Sequence, residues 1–189
     1  MEIGVFKVSR ILIFIIGSIF ITILSRRTFK NTKSHGFYRF FAFESILLLI
    51  LLNVPFWFRN PFSLLQLVSW PLLFFSIYLV IEGVRLLKEL GSYKPRGEKS
   101  ETYRFEETNH LVTDGIFKYI RHPLYSSLLF FAWGAYLKHI SLFGSIGVLL
   151  ATTSLLLTAK MEERENLLYF GSSYAEYMKS TKMFIPYVF

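Results

Sequence analysis

The chain has 189 residues with 21 Lys and Arg against 13 Asp and Glu, a net charge of +8, yet 53% of it is apolar, including 21 Phe, 11 Tyr and 3 Trp. That composition lies outside the usual range of a soluble domain, and the cations alternate with long uncharged runs instead of gathering on one face, so no nucleic acid partner is expected. Cysteine is absent, which excludes disulfides, thiolate metal ligands and cysteine nucleophiles.

The first apolar run, Ile11 to Ser25, reaches membrane length if its helix begins near Ile3 and Lys7 and Arg10 snorkel to the surface. A signal peptide is the rival reading, but no small-residue cleavage site follows, and Arg26 and Arg27 stand where cleavage belongs. Between Arg39 and Arg59 the only ionisable group is Glu44, and between Arg59 and Glu82 there is none. Each of these runs is long enough to span.

A charged stretch follows, from Glu82 to Arg121. Leu90 and Gly91 predict a helix stop with the glycine left-handed, Tyr103 and Phe105 alternate as in a short strand, and Thr113, Asp114 and Gly115 predict a turn. Together they predict a small hairpin-like flap over the helix ends.

The segment Asn109 to Tyr125, NHLVTDGIFKYIRHPLY, brings a turn, two imidazoles and a guanidinium to the start of the next apolar run. Pro123 suits the first turn of a helix, where its missing N–H costs nothing. Two runs, Leu124 to Leu137 and Ile140 to Ala159, are separated only by Lys138 and His139, which forces an antiparallel helical hairpin. The first arm is about 21 Å long at 1.5 Å per residue, short of a hydrocarbon core of about 30 Å. Its starting end is therefore expected below the headgroups, in a protein-lined cavity. Gly144, Gly147 and Ala151 are expected to let the two arms approach closely.

Lys and Arg counts orient the chain. The link after the first span holds Arg26, Arg27, Lys30, Lys33 and Arg39, whereas the link after the second holds only Arg59. The first link is thus expected in the cytoplasm, together with the Glu82 to Arg121 region and the C-terminus. Only Lys7 and Arg10 pull the other way.

Arg121 and His122 admit two readings. On spacing alone, headgroup snorkelling and carbonyl capping are favoured over chemistry. His110 reads as a surface residue, His35 lies in a basic link where nothing points to chemistry, and no pair of histidines has metal-ligand spacing, so no metal is expected. After the last span, KMEERENLLYFG places Glu162, Glu163 and Glu165 at the membrane border. They form either a solvated face paired with Lys160 and Arg164 or a wall with one Glu turned toward a ligand. Gly171 breaks the helix, and Ser173 with Glu176 forms a capping-box pattern for a short helix through Tyr177. The final FIPYVF is apolar enough to lie on the membrane or fold back.

The order of LVTDGIFKYIRHPLY, the hairpin and a late EE, FGSSYAEY and FIP resembles the isoprenylcysteine carboxyl methyltransferase family and its relatives, the phospholipid methyltransferases. The resemblance runs from Leu90 onward. It implies S-adenosylmethionine as methyl donor, with contacts from Asn109, His110, Leu111 and Val112, from Phe117 where the family usually has Tyr, from His122, Pro123, Leu124 and Tyr125, and from Glu162. Arg121 or His122 suits the donor's carboxylate, Glu162 its ammonium and ribose, and Tyr125 its sulfonium. Transfer is then a direct displacement in which Arg121, His122 and Glu163 are the catalytic candidates, and Glu163 or a tyrosine would assist an amine acceptor. Two departures stand out. Thr158 occupies a position where these methyltransferases commonly carry an acceptor-binding Arg, and LGSYKP lacks the Trp that often follows Leu-Gly.

The expected fold is an all-α integral membrane protein of about five transmembrane helices, one membrane domain over 1–189 with its cofactor-binding core at 90–189. The acceptor is a lipid or lipid-linked molecule reached at the cytoplasmic face, and the small size resembles prokaryotic family members in the plasma membrane. Two alternatives stand beside this reading: an NADPH-dependent membrane sterol-type reductase, which usually carries Asn where this chain has Leu124, and a scaffold without activity. Oligomeric state is not legible in the sequence.

Overall fold

The computed structural model describes residues 2–32, 34–92 and 108–189. Six α-helices follow in order among these: α1 (Glu2–Ser25), α2 (His35–Asn53), α3 (Leu64–Leu90), α4 (Pro123–Tyr136), α5 (Leu142–Phe170) and α6 (Ser172–Ser180). The described residues hold no strand, only an isolated parallel bridge between Ile120 and Lys182. Tyr103 and Phe105 of the expected flap lie outside the described residues.

Among the described residues Val8–Ser25, His35–Phe56, Leu64–Leu90 and Leu142–Phe170 are long and apolar enough to cross a membrane, and the 14-residue α4 packs among them as a shorter apolar helix. This is a multi-pass, all-helical membrane architecture. α2 packs most extensively on α5 and α3 on α4, with α4 also touching α2 and α5, while α1 lies on α2. Apolar side chains fill the middle: Leu49, Ala132, Val148 and Ala151 meet between α2, α4 and α5. Large apolar side chains of α1 and α3, such as Ile16 and Phe74, point outward as a lipid-facing surface requires.

The shortness of α4 dictates how its ends are satisfied. A helix end buried away from water needs partners for its last carbonyls, and here neighbouring helices supply them. Asn53 Nδ2 donates to Ala135 O at 2.9 Å, Ser69 Oγ to Gly134 O at 2.7 Å and Gln66 Nε2 to Lys138 O at 3.4 Å. At its other end, α4 stops while α5 continues. With 29 residues, α5 runs about 44 Å against about 21 Å for α4, and a notch opens beside the overhang.

Several expectations are refined. Gly147 serves a different contact from the one expected: a Cβ there would stand 3.3 Å from Leu49 Cδ2, so the small residue lets α5 approach α2 rather than α4. Helix α3 stops after Leu90 as expected, but Gly91 has a φ of −75° and the left-handed residue is Ser92 at +47°. Glycine is needed at 91 for space, because a Cβ would sit 2.3 Å from Thr108 Cγ2. Arg39, read as part of the first link, lies inside α2 and is buried. α6 begins at Ser172 with Gly171, at φ +60°, before it, so the expected Ser173 capping box lies within the helix and Glu176 pairs with Lys179 instead. The FIPYVF end folds back. Phe184 is fully buried, its N–H donates to Phe189 O, and its carbonyl accepts from Ser126 Oγ at 2.9 Å.

Candidate functional site

The notch at the start of α4 is a cleft with about 600 Å³ of empty space, part of it continuous with the outside. Its floor is the Arg121, His122, Pro123, Leu124 and Tyr125 turn. Leu87 of α3 with Thr108, Leu111 and Val112 forms one wall, and Glu162, Asn166 and Phe170 of α5 form the opposite one. Phe117, Tyr174 and Tyr177 complete it.

Each wall has a local cause. Gly91 lets Thr108 close over the end of α3, and the Asn109 N–H donates to Gly91 O and Ser92 O at 3.0 and 3.1 Å. Val112 and Phe117 then pack on Leu86, and the Tyr177 hydroxyl donates to Phe117 O at 2.6 Å. The α4 start is tied down by backbone as well: Arg121 N–H donates to Lys182 O at 2.8 Å, Lys182 N–H to Tyr119 O at 3.0 Å and His122 N–H to Met183 O at 3.2 Å.

The three acids after the last span do not form a solvated face. They radiate from α5 to three different elements. Glu162 accepts from the Tyr125 hydroxyl of α4. Glu163 accepts from Arg121 Nε at 2.7 Å, both side chains being 9% exposed. Glu165 Oε2 lies 2.7 Å from His35 Nδ1 at the start of α2. Arg164, the cation expected to pair with them, is exposed and points to Met161 Sδ.

Arg121 is a clamp as much as a cleft residue: besides Glu163, its Nη1 donates to the carbonyls of Met178 and Thr181 and so holds the C-terminal segment on α5. His122 is 4% exposed and its ring stacks on Tyr125 with centroids 5.5 Å apart. Its Nε2 lies 3.4 Å from Glu163 Oε1 and has no hydrogen-bond partner among the described residues. A buried polar atom without a partner is costly, so this nitrogen is the group in the cleft that most needs a ligand. Burial pushes the phenols of Tyr174 and Tyr177 above the ordinary value, for Tyr174 with help from the Glu162 carboxylate. Both remain hydrogen-bond donors at neutral pH.

Of the residues singled out from the sequence, Leu111, Val112, Phe117, His122, Pro123, Leu124, Tyr125 and Glu162 line the cleft together with Arg121. Glu163 stands behind it on Arg121, and Asn109 and His110 sit on an exposed turn at its edge. Reading the sequence missed Leu87, Thr108, Asn166, Phe170, Tyr174 and Tyr177. Asn166 and Phe170 follow Glu162 at intervals of one helical turn, a spacing that places them on its face. It also misread His35, which is 1% exposed and bonded to Glu165, and Arg39, which with His35 lies within electrostatic reach of Glu162. No spacing rule joins α2 to α5. Thr158 is fully buried and its Oγ1 donates back to Ser154 O at 2.7 Å, so it presents nothing to the cleft.

A family model described as phospholipid methyltransferase matches residues 64–171. No curated protein and no solved structure matches the chain.

Proposed function

From the premise that this chain belongs to the phospholipid methyltransferase family, we propose that the cleft binds S-adenosylmethionine and aligns its methyl group with an acceptor atom of a lipid or lipid-linked molecule. The observation that carries the reading is the convergence of Glu162, Tyr125 and the unpartnered His122 Nε2 on one cleft at the start of α4. Those groups fit the donor's chemistry. His122 Nε2 suits its carboxylate, Glu162 its ammonium or ribose, and the rings of Tyr125 and Phe170 its sulfonium and adenine. When bound, the donor supplies a methyl carbon activated by a positively charged sulfur.

The rest is alignment. The Arg121 to Glu163 pair and the backbone bonds from Tyr119, Arg121 and His122 to Lys182 and Met183 fix the floor of the cleft, so a bound ligand meets preorganised groups. Phe117 and Val112, with Phe170 on the opposite wall, give the cleft apolar surface that excludes water. A carboxylate acceptor needs no base, whereas a lipid ammonium must first lose a proton. Tyr174 and Tyr177 stay protonated and do not receive it. Arg39 on α2 lies within electrostatic reach of Glu162 without lining the cleft. By the Lys and Arg distribution, the cleft opens to the cytoplasm, and the acceptor enters sideways from the bilayer past the short α4.

The test is transfer from a radiolabelled methyl donor to lipid extracts, beside water-soluble amines and carboxylates. Label in the lipid fraction, absent with Glu162→Ala, supports the proposal. Equal labelling of water-soluble acceptors contradicts entry from the bilayer, and no transfer with any acceptor contradicts the activity.

A further inference from the structure

At the end of the helices opposite the cleft, the link between α2 and α3 meets the link between α4 and α5 around a second, shallower pocket, with about 560 Å³ of empty space that is continuous with the outside. Its lining combines the basic Arg59, Lys138 and His139 and polar groups such as Gln66 with the apolar Phe56 and Leu65. Among the described residues, no Asp or Glu pairs with Arg59, Lys138 or His139. The acids that do form ion pairs stand on helices around the cleft. The basic groups of this pocket therefore keep their charge without an acidic partner among the described residues.

The basic groups are held in place. Lys138 is 5% exposed, its Nζ lies 3.4 Å from the Trp70 ring centroid and donates to Gln66 Oε1 at 2.8 Å. His139 stacks on Phe56 with centroids 3.9 Å apart, which fixes its ring without using its nitrogens. Arg59 is exposed. The N-terminus of the long helix α5 begins directly after His139 and Ser141 and adds its partial positive charge. Around the pocket, Phe58, Phe62, Leu64, Leu142 and Phe143 are 70–87% exposed. Apolar side chains of that size at a membrane interface sit among acyl chains, and a soluble anion would make no use of them.

We propose that this pocket binds the phosphate of an anionic phospholipid in the leaflet opposite the cleft, with Arg59 and His139 donating to the phosphate, Lys138 supplying charge from behind and the apolar rim holding the acyl chains. A charge-assisted bond from a guanidinium to a phosphate is the strong kind. The site is independent of the methyl-transfer reading, since no residue of it touches the cleft.

The test uses the full chain, delipidated in an uncharged detergent and titrated with phosphatidylglycerol, phosphatidylcholine or inorganic phosphate, with lipid retention read by native mass spectrometry and stability by the unfolding midpoint. One phosphatidylglycerol should be retained and the midpoint should rise, with at least a tenfold weaker affinity for the Arg59→Gln/His139→Gln double variant. Arg59→Glu, a change at one exposed side chain, should abolish retention and serves as the second variant should the double one fold poorly. Equal retention of phosphatidylcholine, an equal gain from inorganic phosphate alone, or unchanged retention in the folded variants would each overturn the proposal.

Discussion

Removing Arg121 should release the C-terminal segment from the floor of the cleft. At 2.7 Å from Glu163, the guanidinium attracts the carboxylate by about 6 kcal/mol at an effective dielectric constant of about 20, against the desolvation of two side chains that are each 9% exposed. Truncating one partner leaves the other charged and buried, which costs about 3–5 kcal/mol, and Arg121→Met also orphans the Met178 and Thr181 carbonyls. The double variant Arg121→Met/Glu163→Leu removes both charges, so its loss should fall short of the summed single losses by about 2 kcal/mol or more. Denaturant unfolding in detergent measures the cycle. Hydrogen exchange at the amides of Lys182 and Phe184, bonded to Tyr119 O and Phe189 O, should accelerate in the single variants before global unfolding. Additive losses below about 1 kcal/mol each, with unchanged exchange, would refute the clamp.

Three more outcomes test other parts of the account. Gly91→Ala forces a Cβ to 2.3 Å from Thr108 Cγ2; it should cost about 1–3 kcal/mol and weaken donor binding, and an unchanged affinity would mean that the Thr108 to Val112 wall is dispensable. Tyr125→Phe removes the hydroxyl that donates to Glu162, a charge-assisted bond of about 1.5–3 kcal/mol made within the protein, so the unfolding free energy in detergent should fall by about that amount, and an unchanged value would contradict the bond's part in holding α4 on α5. Burial lowers Lys138 from 10.5 to about 8, so between those values the unfolded chain holds a proton that the folded chain has lost, and stability rises with pH across that window. In uncharged detergent the unfolding midpoint should climb from pH 8 to pH 10, and the climb should be smaller in Lys138→Met; an equal climb in both would contradict the depressed lysine.

Local and segmental signals were legible in the sequence. The runs between Arg39, Arg59 and Glu82, whose only ionisable group is Glu44, gave the spans, the Lys138 and His139 link gave the hairpin, and Pro123 marked where α4 begins, because each depends on residues close together in the chain. The cleft's floor was legible for the same reason. What could not be read depends on packing between distant segments. Glu162, Glu163 and Glu165 are adjacent in sequence, yet the rotation of α5 sends them to Tyr125, Arg121 and His35, and only the placement of α2 against α5 turns His35 from a link residue into a buried partner. Gly91 was read as a dihedral requirement because its neighbour in space, Thr108, is distant in sequence. The Tyr174 and Tyr177 wall needed the reversal at Gly171, whose direction no local pattern encodes.

The central claim is that the cleft at the start of α4 holds a methyl donor through Glu162. Calorimetric titration of the detergent-purified chain with S-adenosylmethionine and its demethylated product, with Glu162→Ala and NADPH as controls, tests it most directly. The account predicts saturable binding of both donor and product to the wild-type chain, at least tenfold weaker in Glu162→Ala, and none of NADPH. A folded sample that binds neither donor nor product, or that binds NADPH in their place, would contradict it.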